Sequence, residues 1–138
     1  AGLSALRWAI RKPYFATAIP SMTDLEQLDM NFQAMSGAFS ASDERLLSAR
    51  LNEIRSDYCR MCYSCKGQCA QGLPVTDMLR YVTYADGYGE YALGREHFLK
   101  LPEQIQSVRC GDCTDCTVNC RNGVDVRRRL SKAQDIFA

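Results

Sequence analysis

"CRMCYSCKGQC" occupies residues 59–69 and "CGDCTDCTVNC" occupies residues 110–120. Together they hold all eight cysteines of the 138-residue chain, four in each, both in the order C-x2-C-x2-C-x3-C. A constant offset of 51 residues lays Cys59, Cys62, Cys65 and Cys69 on Cys110, Cys113, Cys116 and Cys120. The register continues beyond the cysteines. Gly72 meets Gly123, Leu73 meets Val124, Val75 meets Val126 and Leu79 meets Leu130. Self-similarity at a fixed period marks a repeated supersecondary unit. In each copy the glycine suits a tight turn, and the apolar residues after it suit the start of a covering helix.

Three chemistries compete for eight such thiols. Four disulfides would allow 105 pairings. Bridges between cysteines three or four residues apart close tiny loops, whereas cross-linking gains with loop length. Structural zinc favours two cysteine pairs split by a longer spacer, which this run is not. The third chemistry is the [4Fe–4S] cluster, whose four iron corners each need one thiolate. Cysteines at i, i+3 and i+6 let one short loop wrap three corners, and C-x2-C-x2-C-x3-C is the spacing of two-cluster ferredoxins. Two copies therefore predict two [4Fe–4S] clusters.

The bulk properties set looser bounds. The chain is 46% hydrophobic and carries a formal net charge of +1, so neither a core nor an acidic partner is ruled out. The one basic run, Arg127-Arg128-Arg129, reads as a solvated helix face, and no nucleic-acid partner is expected. No apolar run approaches the ~18 residues of a membrane span. The chain opens Ala-Gly-Leu, as expected of a piece of a longer protein, and a cytoplasmic location is expected for a cluster protein.

The 40 residues between Cys69 and Cys110 read as helical. Pro74 suits a first turn, Val75, Met78, Leu79 and Val82 recur on one face, and Gly87 and Gly89 interrupt. A second short helix is predicted over "EYALGREHFLKL", stopping before Pro102, and a third over "VRRRLSKAQDIF". The lone His97 reads as a structural residue, and Tyr81, Tyr84, Tyr88 and Tyr91 as packing around this linker. "CAQGLPVTDMLRY" and "CRNGVDVRRRL" resemble the α-helical ferredoxin family, over about residues 55–138. That resemblance implies a mainly α module for electron transfer, with a redox protein as partner. It also implies a crossed ligand set: Cys59, Cys62, Cys65 and Cys120 around one cluster, Cys110, Cys113, Cys116 and Cys69 around the other. The alternative is a structural iron–sulfur or zinc tail that never cycles.

Residues 1–40 read differently. "LSALRWAIRK" predicts a short helix, "YFATAIP" a buried strand, and "TDLEQLDMNFQAM" a helix opened by a Thr23/Glu26 capping box. Leu25, Leu28, Phe32 and Met35 fall on its apolar face. A further helix over "SDERLLSARLNEIRSDY", with Ser42 as its cap, would lead into the cysteines. "ALRWAIRKPYFATAIPSMTDLEQLDMNFQAM" resembles the last strand and flanking helices of the aldo-keto reductase (β/α)8 barrel. The resemblance implies a longer oxidoreductase that uses NADP(H). Its barrel would lie upstream in the same polypeptide and would hold the catalytic residues, none of which is in this chain. At the family's cofactor-contact positions stand Ser21, Met22, Gln27 and Asn31, of which Asn31 matches. The expected organisation is thus a barrel remnant over 1–40 and a helical ferredoxin-like module over 41–138.

Overall fold

A computed structural model describes all 138 residues, Ala1–Ala138. The chain is mainly helical, with seven α-helices, one short 3-10 turn and no strand. None of the helices is long and apolar enough to cross a membrane. Two compact units divide after Ile54, so the helix that starts at Ala41 belongs to the N-terminal unit rather than to the cysteine module.

In the N-terminal unit, α1 (Gly2–Ile10) is followed by an irregular stretch, then α2 (Leu25–Ser36) and α3 (Ala41–Ile54). The predicted strand at 14–20 does not form. Tyr14 is 72% exposed and Ile19 90% exposed. A strand needs a neighbour to take its backbone hydrogen bonds, and this unit offers none. The cap of α2 is one residue later than the Thr23/Glu26 reading. Asp24 accepts from the Gln27 backbone N–H at 2.8 Å, while Thr23 N donates to Gln27 Oε1 at 3.1 Å. The cap of α3 is two residues earlier than Ser42. Ser40 Oγ accepts from Asp43 N at 3.2 Å and Asp43 Oδ2 accepts from Ser40 N at 2.9 Å, a reciprocal capping box.

Apolar burial in this unit is slight. Ala34 alone among its apolar side chains is fully buried, and Leu25, Phe32 and Met35 of the expected apolar face are exposed. A polar knot joins the helices instead: Ser4 Oγ donates to Asp43 Oδ1 at 2.7 Å, and Arg7 Nη1 stands 3.9 Å from Asp43 Oδ2. The Ser4 hydroxyl, then the Ser40 bonds and the Arg7 charge, outweigh the opposing effect of burial and hold the Asp43 carboxyl at about 2, below its ordinary 3.8. A depressed carboxyl stabilises the fold above its unfolded pKa and stops doing so as pH falls through the folded one. Hydrogen exchange at the α1 amides should therefore accelerate as pH drops from 3.8 toward 2 beyond the intrinsic trend, and Asp43→Asn should remove that acid limb. A limb that persists in Asp43→Asn would assign it to another carboxyl.

In the C-terminal unit each copy of the repeat runs from cysteine loop through glycine turn to helix. α4 (Val75–Gly87) and α7 (Val126–Phe137) begin at positions separated by the 51-residue offset. Between them lie α5 (Tyr91–Leu99) and the single turn α6 (Glu103–Gln106). Val75, Met78, Leu79 and Val82 of α4 face Leu130, Ala133 and Phe137 of α7, with Phe98 of α5 closing the core. α5 comes close to its neighbours because Gly94 has no side chain. A Cβ there would lie 2.6 Å from Tyr81 O and 2.7 Å from Phe137 Cζ. His97 stacks on Tyr81 with ring centroids 5.3 Å apart, a packing role.

The arginine run is not a solvated face. Successive residues on a helix point about 100° apart, so three in a row cannot share a face. Arg128 is exposed and pairs with Asp57 at 2.8 Å. Arg129 is 2% exposed, with its guanidinium paired to Asp86. Arg127 turns to the second cysteine loop and donates to Cys113 O at 2.7 Å.

Gly72 and Gly123 sit at matched positions with φ of +75° and +84°. Each N–H returns to the carbonyl of the preceding cysteine, Cys69 and Cys120, at 3.0 Å. A side chain in the left-handed region costs about 1–2 kcal/mol. A Cβ on Gly123 would also lie 2.5 Å from Arg55 Nε, whereas one on Gly72 meets nothing within 4 Å. In chemical denaturation, Gly72→Ala should lose about 1–2 kcal/mol and Gly123→Ala more. Equal losses would show that Arg55 yields freely.

Candidate functional site

The eight cysteines, all free thiols, gather in two sets. Cys59, Cys62 and Cys65 line one cavity together with Cys120. Cys110, Cys113 and Cys116 line another together with Cys69. Each copy's fourth cysteine thus stands with the other copy's first three. The glycine turns make this possible, because they carry Cys69 and Cys120 out of their own loops.

Side-chain bonds stitch the exchange in place. Thr117 Oγ1, beside Cys116, donates to Gln68 O at 2.7 Å and accepts from Ala70 N at 3.2 Å. Asn119 N donates to Gln68 Oε1 at 2.9 Å. These bonds bracket Cys69 and fix it beside the second loop. On the other side, Asn122 Nδ2 donates to Cys62 Sγ at 3.3 Å, and Arg55 Nε donates to Asn122 O at 3.2 Å. Asp125 N donates to Ser56 O at 2.9 Å. Cys120 is held between these contacts and its own loop.

The two sites differ in shape. The first encloses about 10 Å³ and the second about 340 Å³. In the first loop Met61 and Tyr63 take left-handed backbone angles, with φ of 51° and 58°. Such non-glycine strain costs of order 1–3 kcal/mol and collects at ligand clamps. It lets Met61 N–H turn back to Cys59 Sγ at 3.4 Å. The matched residues of the second loop, Asp112 and Thr114, carry no such angles; Cys110–Asp112 forms a 3-10 turn instead.

The thiols fall in graded environments. Cys59, Cys65 and Cys110 are buried, while Cys62 and Cys116 are exposed. Burial pushes Cys110 up to about 11, with the nearby Cys69, Cys113 and Cys116 adding to it. Burial raises Cys59 likewise, with Cys65, Cys120 and Cys62 as its thiol neighbours. The Ser64 contact, followed by Asn122, lowers Cys62. Cations or metal centres are what turn such crowded thiols into thiolates.

No three His, Cys, Asp or Glu side chains converge on a point suited to a single metal ion. The second cysteine set stands around an open space, whereas the first set is nearly closed. Asn31 lies half-buried in the middle of α2, and Gln27 is spent on the cap of that helix, bonded to Thr23 and Asp24. Sequence reading missed Asn122, Ser64 and Thr76, whose polar atoms approach cysteine sulfurs at 3.3–3.5 Å. The available signal was position: Asn122 lies between a fourth cysteine and its glycine. Against protein-family models, curated proteins and solved structures, the chain has no match.

Thr117→Val keeps shape and removes both bonds to the Cys69 segment. A loss of about 1 kcal/mol in unfolding free energy is expected, with faster amide exchange at 68–70 than at 120–122. Equal effects on both segments would show that the stitch is not local.

Proposed function

We propose that residues 55–138 form a two-centre electron-transfer module that resembles the α-helical ferredoxins and binds two [4Fe–4S] clusters. The observation that carries this reading is the grouping of eight thiols into two sets of four, each drawn from both repeat copies. Four thiols around a space suit a cube that needs one thiolate at each corner. Such clusters exchange single electrons, at potentials ranging roughly from −700 to +450 mV.

The chain's own part is to hold, shield and tune. Cys59, Cys62, Cys65 and Cys120 would serve one centre, and Cys110, Cys113, Cys116 and Cys69 the other. Leu79 backs the first site, and Leu73, Val108 and Leu130 back the second. These walls keep water from the inner sulfurs. The narrow first cavity opens for a cluster if its exposed wall, Arg60 and Tyr63, moves outward. Thr76 and Leu79 of α4 line the first site and Arg127 and Leu130 of α7 the second, and these two helices pack into one core, a layout in which an electron would pass between the centres within the module. A redox protein, or the catalytic part of a longer oxidoreductase, would supply or receive it. Carbonyl reduction is not assigned to these residues, because hydride transfer needs a nicotinamide and a positioned proton donor.

Anaerobic purification should give about eight iron and eight acid-labile sulfide per chain. Cys69→Ser should perturb the centre held by 110–116 and leave the 59–65 centre intact by electron paramagnetic resonance. Two zinc ions without sulfide would overturn the cluster reading, and damage confined to the 59–65 centre would overturn the crossed ligand set. Reversible reduction by dithionite distinguishes electron transfer from a purely structural cluster.

A further inference from the structure

The two sites carry the same four thiols in unlike surroundings. At the first, hydrogen-bond donors reach sulfur. Asn122 Nδ2–H donates to Cys62 at 3.3 Å and Met61 N–H to Cys59 at 3.4 Å. The Cys62 thiol donates to Ser64 Oγ at 3.5 Å, and Cys65 Sγ and Thr76 Oγ1 lie 3.5 Å apart with either able to donate. At the second, Cys116 Sγ faces the Val118 carbonyl oxygen at 4.0 Å, an acceptor. Cys110 N–H is turned away and donates to Gln134 Oε1 at 3.0 Å.

Charge follows the same division. Arg60 and Arg121 stand in the wall of the first site, with no acid. Asp112 and Asp115 stand in the wall of the second, opposed by Arg127, which donates to the Gly111 and Cys113 carbonyls. The repeat register shows these to be replacements at matched places. Ser64 corresponds to Asp115, Asn122 to Gln71, Arg60 to Gly111 and Arg121 to Ala70.

We propose that the site of Cys59, Cys62, Cys65 and Cys120 has the higher reduction potential, with Asn122 as its main tuning residue, so that an electron entering the module comes to rest there. The inference rests on the two-cluster reading. Reduction adds one negative charge to a centre. Donors aimed at sulfur and cations in the wall stabilise that charge, whereas a carbonyl and two carboxylates oppose it. With clusters bound, one electron would leave the second centre, oxidising it by one unit, and would reduce the first by one. No bond forms or breaks. The wider second cavity admits more water, which works against this order. A bound cluster would displace most of that water, and Asn122 and Arg121, which lie outside the Arg60–Tyr63 segment that moves outward, would stay in the wall.

The test is an anaerobic redox titration of the full chain, followed by electron paramagnetic resonance, with dithionite as reductant. Iron and sulfide are measured first, and their absence overturns the cluster reading together with this order. With clusters present, two separate midpoints are expected. Asn122→Ala should lower the higher midpoint by about tenfold in the electron's partition, ~59 mV for one electron. Asp115→Asn should raise the lower midpoint. Arg121→Gln, at an exposed position, should lower the higher midpoint even if Asn122→Ala impairs assembly. A single shared midpoint, or an Asn122→Ala variant that moves the lower midpoint or neither, overturns the proposal.

Discussion

The cysteine module depends on one backbone constraint, met twice. After each fourth cysteine the chain must reverse within three residues and enter a helix. It does so through a left-handed glycine whose N–H closes on the cysteine carbonyl at 3.0 Å. A residue with a Cβ would pay for that geometry in strain. Everything downstream follows from it. The turn carries the fourth thiol to the opposite loop, starts α4 and α7 at equivalent points, and brings Leu73 and Val124 into the buried core. The helices then supply the walls behind both thiol sets.

Much of this was legible because it repeats. Two occurrences of the same apolar and glycine positions locate the helix starts at Val75 and Val126 better than either occurrence alone. Helix α5 and its end before Pro102 follow from local pattern. What periodicity could not supply was the partner of each face. The 14–20 stretch has strand composition, but strand formation is a pairing property, and no pair exists. Leu25, Phe32 and Met35 keep helical spacing without acquiring anything to cover them. Arg129 is buried by Asp86, which lies 43 positions away and carries no local signal. The polar groups near sulfur were hidden for a related reason. Thr76 reaches Cys65 because the loop folds onto the first turn of α4, a tertiary event.

The two units are held together internally by different physics. Residues 55–138 have a continuous apolar core that includes all three buried thiols, Cys59, Cys65 and Cys110. Residues 1–54 are joined chiefly by capping boxes and by the Ser4–Asp43–Arg7 contacts. Hydrogen bonds of that kind contribute about 1 kcal/mol each, and small domains with little burial are marginal. The N-terminal unit should therefore respond to acid, and the C-terminal unit to the state of its thiols.

The exchange of Cys69 and Cys120 also changes what the chain is as an assembly. Each half, taken as loop, glycine and helix, owns three sulfurs of one site and one of the other. Neither half completes a site by itself. The arrangement is that of a two-fold dimer whose subunits have been joined end to end by the 40 residues between Cys69 and Cys110. The tether replaces a bimolecular encounter with a high effective concentration, so the second half is always at hand when the first begins to close. Divergence between the halves, as at Asn122 and Gln71, is a freedom that a true homodimer would lack, since one gene would impose one sequence on both sites.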